Sequence, residues 1–310
     1  MVYLASWVMA LLLSISRIAQ TEGLKTAVPI GDHLDSIVHQ GIKRYFLIHI
    51  PENFKNGQQV ALVFVLHGGG GTPRAIADLT GFSKLADAEG FIVVYPAAVN
   101  RHWNDGRGVG RFKSHRESVD DVGFIAQLID TLSRRLAVDP SRIYATGISN
   151  GGMMCQRLGL ELSDRLAAVA SVAASLPETR AVDFNPQAPI SVLMINGTED
   201  RVVPYDGGGV GLFSKRGGVI GVEKAIELWV NYNKCLKTPV MTVIRSEQDT
   251  VYRVFYSGGR DNTVVVLYKI SGAGHIWPGG KRRPARFGKH ITIINATRII
   301  WEFFITYPRR

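Results

Sequence analysis

The amino-acid sequence predicts an α/β fold in which a mostly parallel central sheet carries helices on both faces. Apolar runs alternate with amphipathic stretches from residue 40 to the end of the chain, as the strand–helix units of such a sheet require. The segment 60–66 (VALVFVL) is continuously apolar, which is typical of a strand buried on both faces. In the segment 122–136 apolar residues recur at helical spacing, which indicates an amphipathic helix packed on the sheet.

Most predicted strands are short apolar runs that end in polar or glycine-rich turns. They lie at 44–50, 60–66, 91–95, 142–146, 167–173, 189–195, 240–244, 251–256 and 263–270. The predicted helices lie at 75–89, 118–136, 152–160, 222–232 and from residue 295 onward. Ser118 is predicted to cap the second of these helices, because Asp121 follows it at capping-box spacing. The glycine-rich stretch 206–218 is predicted to be a flexible surface loop.

The chain carries a net charge of +10, and a basic balance raises the question of an anionic partner. We find no helix with an Arg/Lys face and no aromatic–basic RNA-binding motif, so no nucleic-acid partner is predicted. The densest basic run consists of Lys281, Arg282, Arg283, Arg286 and Lys289. We interpret it as a solvated loop, and the alternative is a positive rim that attracts acidic substrates.

The N-terminal segment indicates export. Residues 2–15 are nearly all apolar, but they are too few to span a bilayer comfortably, and they resemble the apolar region of a secretory signal peptide. No Lys or Arg precedes them, which departs from that pattern. The alternatives are an uncleaved membrane tether and a misassigned start. We predict a signal peptide at 1–22, a single domain at 23–310, no stable membrane span and a secreted or periplasmic location.

The strongest chemical signal is the segment 147–151 (GISNG), which fits the pattern G-x-S-x-G. In this nucleophile elbow a strand turns sharply into a helix and the serine stands at the tip. Glycines on either side avoid the collisions that side chains would make in such a turn. A predicted strand precedes Ser149 and a predicted helix follows it. Ser149 is therefore the candidate nucleophile.

A second glycine-rich segment, 67–71 (HGGGG), directly follows the strand predicted at 60–66. Its backbone N–H groups can approach a ligand closely, and two such groups can bind the oxyanion of a tetrahedral intermediate. We predict an oxyanion hole formed by the N–H of Asn150 and one N–H of this segment, with Gly69 as first choice and Gly68 as second. A phosphate-binding loop is disfavoured because the lysine and Ser/Thr of that motif are missing. His67 is predicted to be structural.

A serine hydroxyl needs a general base to become nucleophilic at neutral pH. Eight histidines are available. His275 lies in the segment 272–278 (GAGHIWP), just after the last predicted strand, and it also follows Ser149 in the chain order Ser, Asp, His. We predict His275 as the base, with His290 as its rival.

The imidazole of the base needs a carboxylate that fixes its tautomer. The strand predicted at 189–195 leads directly to Asp200, which is the candidate, and Glu199 and Asp206 are the alternatives. Two tryptophans, Trp103 and Trp277, are predicted to line the acyl or alcohol pocket, and Trp277 lies two residues from the proposed base. The other interpretation of both is core packing.

Several stretches taken together resemble the polyhydroxybutyrate-depolymerase-like and feruloyl esterases, a group within the α/β-hydrolases. The matching stretches are LHGGGGT (66–72), VDDVGFI (119–125), GISNGGMM (147–154), NGTEDRVVPYDGG (196–208), GAGHIWPGG (272–280) and ATRIIWEFF (296–304). They run in order over most of the chain. The resemblance implies an α/β-hydrolase fold, one catalytic domain at 23–310, and the triad of Ser149, Asp200 and His275.

The same resemblance implies a carboxylic ester hydrolase that works through an acyl-enzyme and uses neither a metal nor another cofactor. The implied substrates are hydroxycinnamoyl (feruloyl), acetyl or short polyhydroxyalkanoate esters, as small molecules, linked to polysaccharide or as oligoesters. Two alternatives stay open at this stage. One is an acyltransferase with the same triad, and the other is a non-catalytic carbohydrate-binding homologue of the same fold.

Overall fold

The computed structural model describes residues 29–55, 57–211, 216–282 and 284–310. The signal peptide predicted at 1–22 therefore lies outside the described residues. The strands are β1 (Gly31–His39), β2 (Ile42–Ile50), β3 (Val60–Leu66), β4 (Ile92–Pro96), β5 (Val138–Ile148), β6 (Ala168–Val172), β7 (Ser191–Gly197), β8 (Gly207–Gly209), β9 (Gly218–Ile220), β10 (Val240–Arg245), β11 (Thr250–Tyr256) and β12 (Val265–Ile270). The α-helices are α1 (Pro73–Thr80), α2 (Phe82–Glu89), α3 (Lys113–Arg116), α4 (Asp121–Arg135), α5 (Asn150–Glu161), α6 (Glu178–Val182), α7 (Val222–Asn233) and α8 (Ala296–Thr306).

One large sheet organises these elements, with the strand order β1-β2-β4-β3-β5-β6-β7-β12-β11-β10. Its centre is parallel from β4 through β3, β5, β6 and β7 to β12. Antiparallel strands extend both edges, β2 and β1 on one side and β11 and β10 on the other. The predicted α/β fold with a mostly parallel sheet is confirmed.

The sheet is buried on both faces by helices, as the unbroken apolar run of β3 predicts. Alternate residues of β3 enter two separate cores: Leu62 and Phe64 belong to one, and Val63 and Val65 to the other. Apolar side chains of α4, α5 and α7 complete the first core, and those of α1, α2 and α8 complete the second. Because side chains alternate across a strand, a strand between two cores needs apolar residues at every position.

The structure corrects the predictions for one edge strand of the sheet, two helices and one loop. The edge strand β1 was not predicted because its alternate residues are exposed, with Leu34 70% accessible, and its polar residues hide the pattern. The helix predicted at 75–89 is two helices, because Gly81 has a φ of 68° and ends α1. Asp120 rather than Ser118 caps α4, since its side chain accepts the N–H of Gly123. The predicted loop 206–218 contains β8, which pairs with β9.

The topology brings four loops to the same edge of the sheet. The strands β3, β5, β7 and β12 all belong to the parallel centre, so their carboxyl ends point the same way. Ligand sites in open parallel sheets form outside these ends. Segment 67–71 follows β3, Ser149 follows β5, Asp200 lies shortly after β7 and His275 shortly after β12. Within the described ranges, no helix has the length and apolar character needed to cross a membrane.

Candidate active site

A cleft of about 1100 Å³ opens at this edge of the sheet. Its lining includes Ser149, Asn150 and His275, together with the glycines of the segment 67–71. Residues predicted from three separate parts of the sequence therefore share one cavity. The apolar part of the lining is formed by Ile76, Leu79, Ile148, Met153, Val202, Val210 and Phe287.

Ser149 stands at a strained turn between β5 and α5. Its φ of 58° and ψ of −125° are uncommon for a residue with a side chain, and its N–H donates to the carbonyl of Val172 at 2.9 Å. The flanking glycines are required by space: a Cβ at Gly151 would lie 2.4 Å from the carbonyl oxygen of Leu66. Strain of this kind persists only where the surroundings enforce it, and it is common at active sites.

His275 and Asp200 form a buried pair, and His275 lines the same cleft as Ser149. The imidazole Nδ1 lies 2.7 Å from Oδ2 of Asp200, and the two residues are 4% and 5% exposed. An ionised carboxylate only accepts hydrogen bonds, so Nδ1 carries the hydrogen and Nε2 keeps its lone pair. The other carboxylate oxygen, Oδ1, accepts the N–H groups of Val202 and Val203 at 2.8 and 2.9 Å. These two amides fix the orientation of the carboxylate.

The residues predicted as alternative base and acid do not take part in this pair. Glu199 and Asp206 are exposed, and in the described part of the chain the carboxylate within hydrogen-bond distance of His275 is that of Asp200. His290 is not among the described residues that line the cleft.

The segment 67–71 has two backbone N–H groups engaged within the protein. Gly70 donates to the carbonyl of Arg101 at 2.8 Å, and Gly71 donates to that of Gly68 at 2.9 Å. Both Gly68 and Gly69 line the cleft. A Cβ at Gly68 would lie 3.4 Å from Cβ of Ser149, so this backbone passes close to the serine. The predicted donors Gly68 and Gly69 are thus near the site, with Gly70 and Gly71 committed elsewhere.

The side chain of Asn150 is turned into a buried polar network. Its Oδ1 accepts the N–H of Trp103 at 2.8 Å, and its Nδ2 donates to Oδ2 of Asp105 at 2.7 Å. Asp105 is fully buried and pairs with Arg107 at 2.7 Å. Burial alone would raise the pKa of Asp105, but the Arg107 guanidinium and its hydrogen bonds outweigh burial and lower it. A charged carboxylate therefore anchors the first residue of α5.

Sequence reasoning missed this network. Asp105 and Arg107 lie in a polar, glycine-rich stretch that carries no periodic pattern. The available signal was a carboxylate and a guanidinium two residues apart in a loop, and that spacing is common in solvated turns. Only the folded loop shows that both side chains are enclosed.

The tryptophans predicted to line the pocket are core residues instead. Trp103 is fully buried and its indole N–H donates to the carbonyl of His67 at 2.9 Å. Trp277 is 2% exposed, and its indole N–H donates to Oγ1 of Thr297 at 3.0 Å. Neither is among the described residues that line the cleft, so the prediction that they contact substrate is wrong. A buried indole needs a partner for its N–H, and both rings find one inside the core.

Two buried histidines support the cleft wall in their neutral form. His67 donates from Nδ1 to the carbonyl of Gly68 at 2.8 Å, and its Nε2 accepts the N–H of Ala98 at 3.2 Å. His102 donates from Nδ1 to the carbonyl of Trp103 and stacks on Phe112 with ring centroids 3.6 Å apart. Burial lowers the pKa of each to about 4. The structural role predicted for His67 agrees with these contacts.

Because the pKa values of His67 and His102 are lowered in the folded protein, we expect the free energy of unfolding to fall at acidic pH. Unfolding frees each imidazole to bind a proton near its ordinary pKa of about 6.5, while the folded protein resists protonation down to about pH 4. The contribution of these histidines to the free energy of unfolding should therefore be fully present above about pH 6.5. It should decline as pH falls toward about 4, by up to about 1.4 kcal/mol per pH unit for each histidine. Urea unfolding at a series of pH values measures this slope.

The His67→Asn variant is the matched comparison. Asparagine keeps a donor toward the carbonyl of Gly68 but does not titrate, so the slope of unfolding free energy against pH should lose the contribution of one histidine. Parallel curves for the variant and the parent chain would contradict the assignment, whatever the difference in absolute stability.

The sequence profile of a family described as phospholipase/carboxylesterase matches residues 53–209, just over half of the chain. The chain belongs to the phospholipase/carboxylesterase family. The match covers the segment 67–71, Ser149 and Asp200, and it ends before His275.

Relatives of this phospholipase/carboxylesterase family member are named as esterases. NocK of Nocardia uniformis subsp. tsuyamanensis, named as an esterase, is 38% identical over 55% of this chain and 49% of its own length. Feruloyl esterase B of Piromyces equi is 27% identical over 77% of this chain and 44% of its own length. The chain thus spans about half the length of these relatives. The predicted resemblance to feruloyl esterases is confirmed.

A solved structure supports the fold. Acetyl xylan esterase from Aspergillus awamori superimposes with a TM-score of 0.55 at 15% identity, covering 79% of this chain and 94% of its own. At that identity the likeness concerns the fold alone, and it agrees with the α/β-hydrolase fold expected of a phospholipase/carboxylesterase family member.

Proposed function

We propose that this protein is a serine esterase that hydrolyses carboxylic esters through an acyl-enzyme on Ser149. The observation that carries the proposal is the buried pair of His275 and Asp200, with 2.7 Å between Nδ1 and Oδ2, in the cleft that Ser149 also lines. A nucleophile, a base and a group that orients the base are the parts that activate a serine hydroxyl.

In the acylation step, Oγ of Ser149 attacks the ester carbonyl while Nε2 of His275 takes its proton. The carboxylate of Asp200 stabilises the imidazolium that forms. The tetrahedral oxyanion accepts hydrogen bonds from the N–H of Asn150 and from that of Gly69 or Gly68. The imidazolium then gives its proton to the departing alcohol, and the acyl group stays on Ser149.

In the deacylation step, His275 removes a proton from water, and the resulting hydroxide attacks the acyl carbonyl. The same backbone N–H groups hold the second oxyanion. Ser149 leaves as the protonated hydroxyl after receiving the proton from His275, and the carboxylic acid is released. Each cycle consumes one ester and one water and releases one alcohol and one carboxylic acid, and Ser149 and His275 return to their starting protonation states.

The proposed substrates are hydroxycinnamoyl (feruloyl), acetyl or short polyhydroxyalkanoate esters, on small molecules, polysaccharides or oligoesters. The name of the Piromyces equi relative supports the feruloyl member of this set. A secreted or periplasmic location is proposed with it. An acyltransferase would use the same triad, and product analysis with an added sugar acceptor separates it from a hydrolase.

Covalent labelling tests the proposal directly. A fluorophosphonate should label the folded protein, and peptide mapping should find the adduct on Ser149, because only an activated serine displaces fluoride from phosphorus readily. Prior incubation with methyl ferulate should slow labelling if the ester occupies the same cleft. Absence of labelling of the folded chain, as in a non-catalytic carbohydrate-binding homologue, or an adduct on another serine would refute the assignment.

A further inference from the structure

The cleft that contains Ser149 is bordered by exposed cations. Six exposed Lys and Arg side chains belong to its lining: Arg111, Arg201, Arg216, Lys281, Arg282 and Arg286. The only exposed carboxylate in the same described lining is that of Asp78. We call these six residues the basic rim. Its charge is strongly unbalanced in comparison with the whole chain, which has 36 Lys and Arg against 26 Asp and Glu.

The basic rim also differs from other surface cations in its pairing. Elsewhere, Arg74, Arg135 and Arg298 each lie beside a carboxylate. None of the rim side chains forms an ion pair with any carboxylate in the described part of the chain. Two of them, Arg111 and Arg286, lie over neighbouring phenylalanine rings at 5.3 and 5.1 Å. Their charges therefore remain available to a bound molecule.

The rim is assembled by the fold. Arg111 precedes α3, Arg201 follows β7 and Arg216 precedes β9. Lys281, Arg282 and Arg286 follow β12. Like charges brought together by folding repel one another and lower stability, and a bound anion relieves that repulsion. In the densest basic run of the sequence, Lys281, Arg282 and Arg286 line the cleft, whereas Lys289 pairs with Asp249 at 2.9 Å and does not line it. Arg283 lies outside the described residues.

We propose that the natural substrate is an ester that also carries a carboxylate, held by the basic rim while Ser149 attacks the ester carbonyl. The inference rests on the proposed esterase function and names its substrate class. The carboxylate belongs either to the acid portion of the ester or to its alcohol portion, such as an acidic sugar. In both, a cleft lined by one sign of charge concentrates the oppositely charged substrate and binds it more tightly.

Two pairs of esters that differ by carboxylate against carboxamide test the proposal. For the acid portion, mono-4-nitrophenyl glutarate is compared with the 4-nitrophenyl ester of glutaramic acid. For the alcohol portion, 4-acetoxybenzoate is compared with 4-acetoxybenzamide. After subtraction of spontaneous hydrolysis, kcat/KM should favour the anionic member of at least one pair by about tenfold at low salt. The preference should shrink several-fold in about 0.5 M NaCl.

Charge-neutral variants locate the effect. Replacing Arg111, Lys281 and Arg282 together by glutamine should remove most of the preference of kcat/KM for the anionic ester over its neutral partner. The control replaces Arg134, Lys237 and Arg245 by glutamine, which removes the same charge from exposed positions outside the cleft. This control should keep the preference.

The outcomes separate the two proposals. Equal kcat/KM within both pairs, or loss of the preference in the control as well, would overturn the anionic substrate and leave the esterase intact. Failure of the parent chain to hydrolyse any of the four esters would overturn the esterase proposal, and the anionic substrate with it.

Discussion

The Ser149→Ala variant is expected to hydrolyse 4-nitrophenyl butyrate with a kcat roughly 10⁴- to 10⁶-fold below that of the parent chain. Removal of the hydroxyl removes the attacking atom, and the rate that remains comes from the backbone N–H groups and from binding alone. The protein should still fold. Alanine keeps the Cβ and therefore the same strain at a φ of 58°, so the free energy of unfolding should change little.

The measurement is initial-rate kinetics with urea unfolding of the same preparations. The matched control is Ser271→Ala, an exposed serine in the turn that precedes His275, and it should keep full activity. Turnover by Ser149→Ala within tenfold of the parent would exclude Ser149 as the nucleophile. Loss of activity together with loss of cooperative unfolding would point to misfolding, and the fluorophosphonate adduct on the parent chain would then decide the assignment.

The candidate triad could be predicted from the sequence because the topology leaves little freedom. Ser149, Asp200 and His275 each follow a strand of the parallel centre. Once apolar runs identify those strands, their carboxyl ends must meet at one edge of the sheet. The choice of residue within each loop then depends on local signals, such as the glycines around Ser149.

The walls of the cleft could not be predicted in the same way. Whether Trp103 lines a pocket or fills a core depends on how the stretch between β4 and α4 folds over the sheet, and that stretch has no apolar period. The structure buries the indole and encloses Asp105 and Arg107 beside it. Loop residues contact partners distant in sequence, so composition does not reveal which side chains face inward.

The sequence of the basic run near the C-terminal end does not show which of its cations line the cleft. As a sequence it is one cluster, and a solvated loop was the simpler interpretation. In the structure, Lys281, Arg282 and Arg286 line the cleft, while Lys289 forms an ion pair on the surface. Charge in a sequence is a local quantity, whereas the field in a cleft is a sum over segments that the fold brings together.

Replacing Asp200 by asparagine should lower kcat by roughly 10³- to 10⁴-fold. The reason lies in the contacts of the carboxylate. Its Oδ1 accepts two backbone N–H groups, from Val202 and Val203, and an amide must keep its oxygen there because its NH₂ group cannot accept them. The NH₂ group then faces Nδ1 of His275, which must become the acceptor, and the hydrogen moves to Nε2. In that tautomer the imidazole cannot take the proton of Ser149.

Two neighbouring carboxylates provide the controls for Asp200→Asn. Glu199→Gln and Asp206→Asn remove the same charge from exposed positions, and both variants should keep kcat within about threefold because surface charge changes act mainly through screened interactions. A large loss in either control with near-full activity in Asp200→Asn would transfer the orienting role to that residue. The expected pattern, in which only Asp200→Asn loses activity while all three variants unfold cooperatively, would show that the carboxylate acts through the imidazole and that net charge is not the cause.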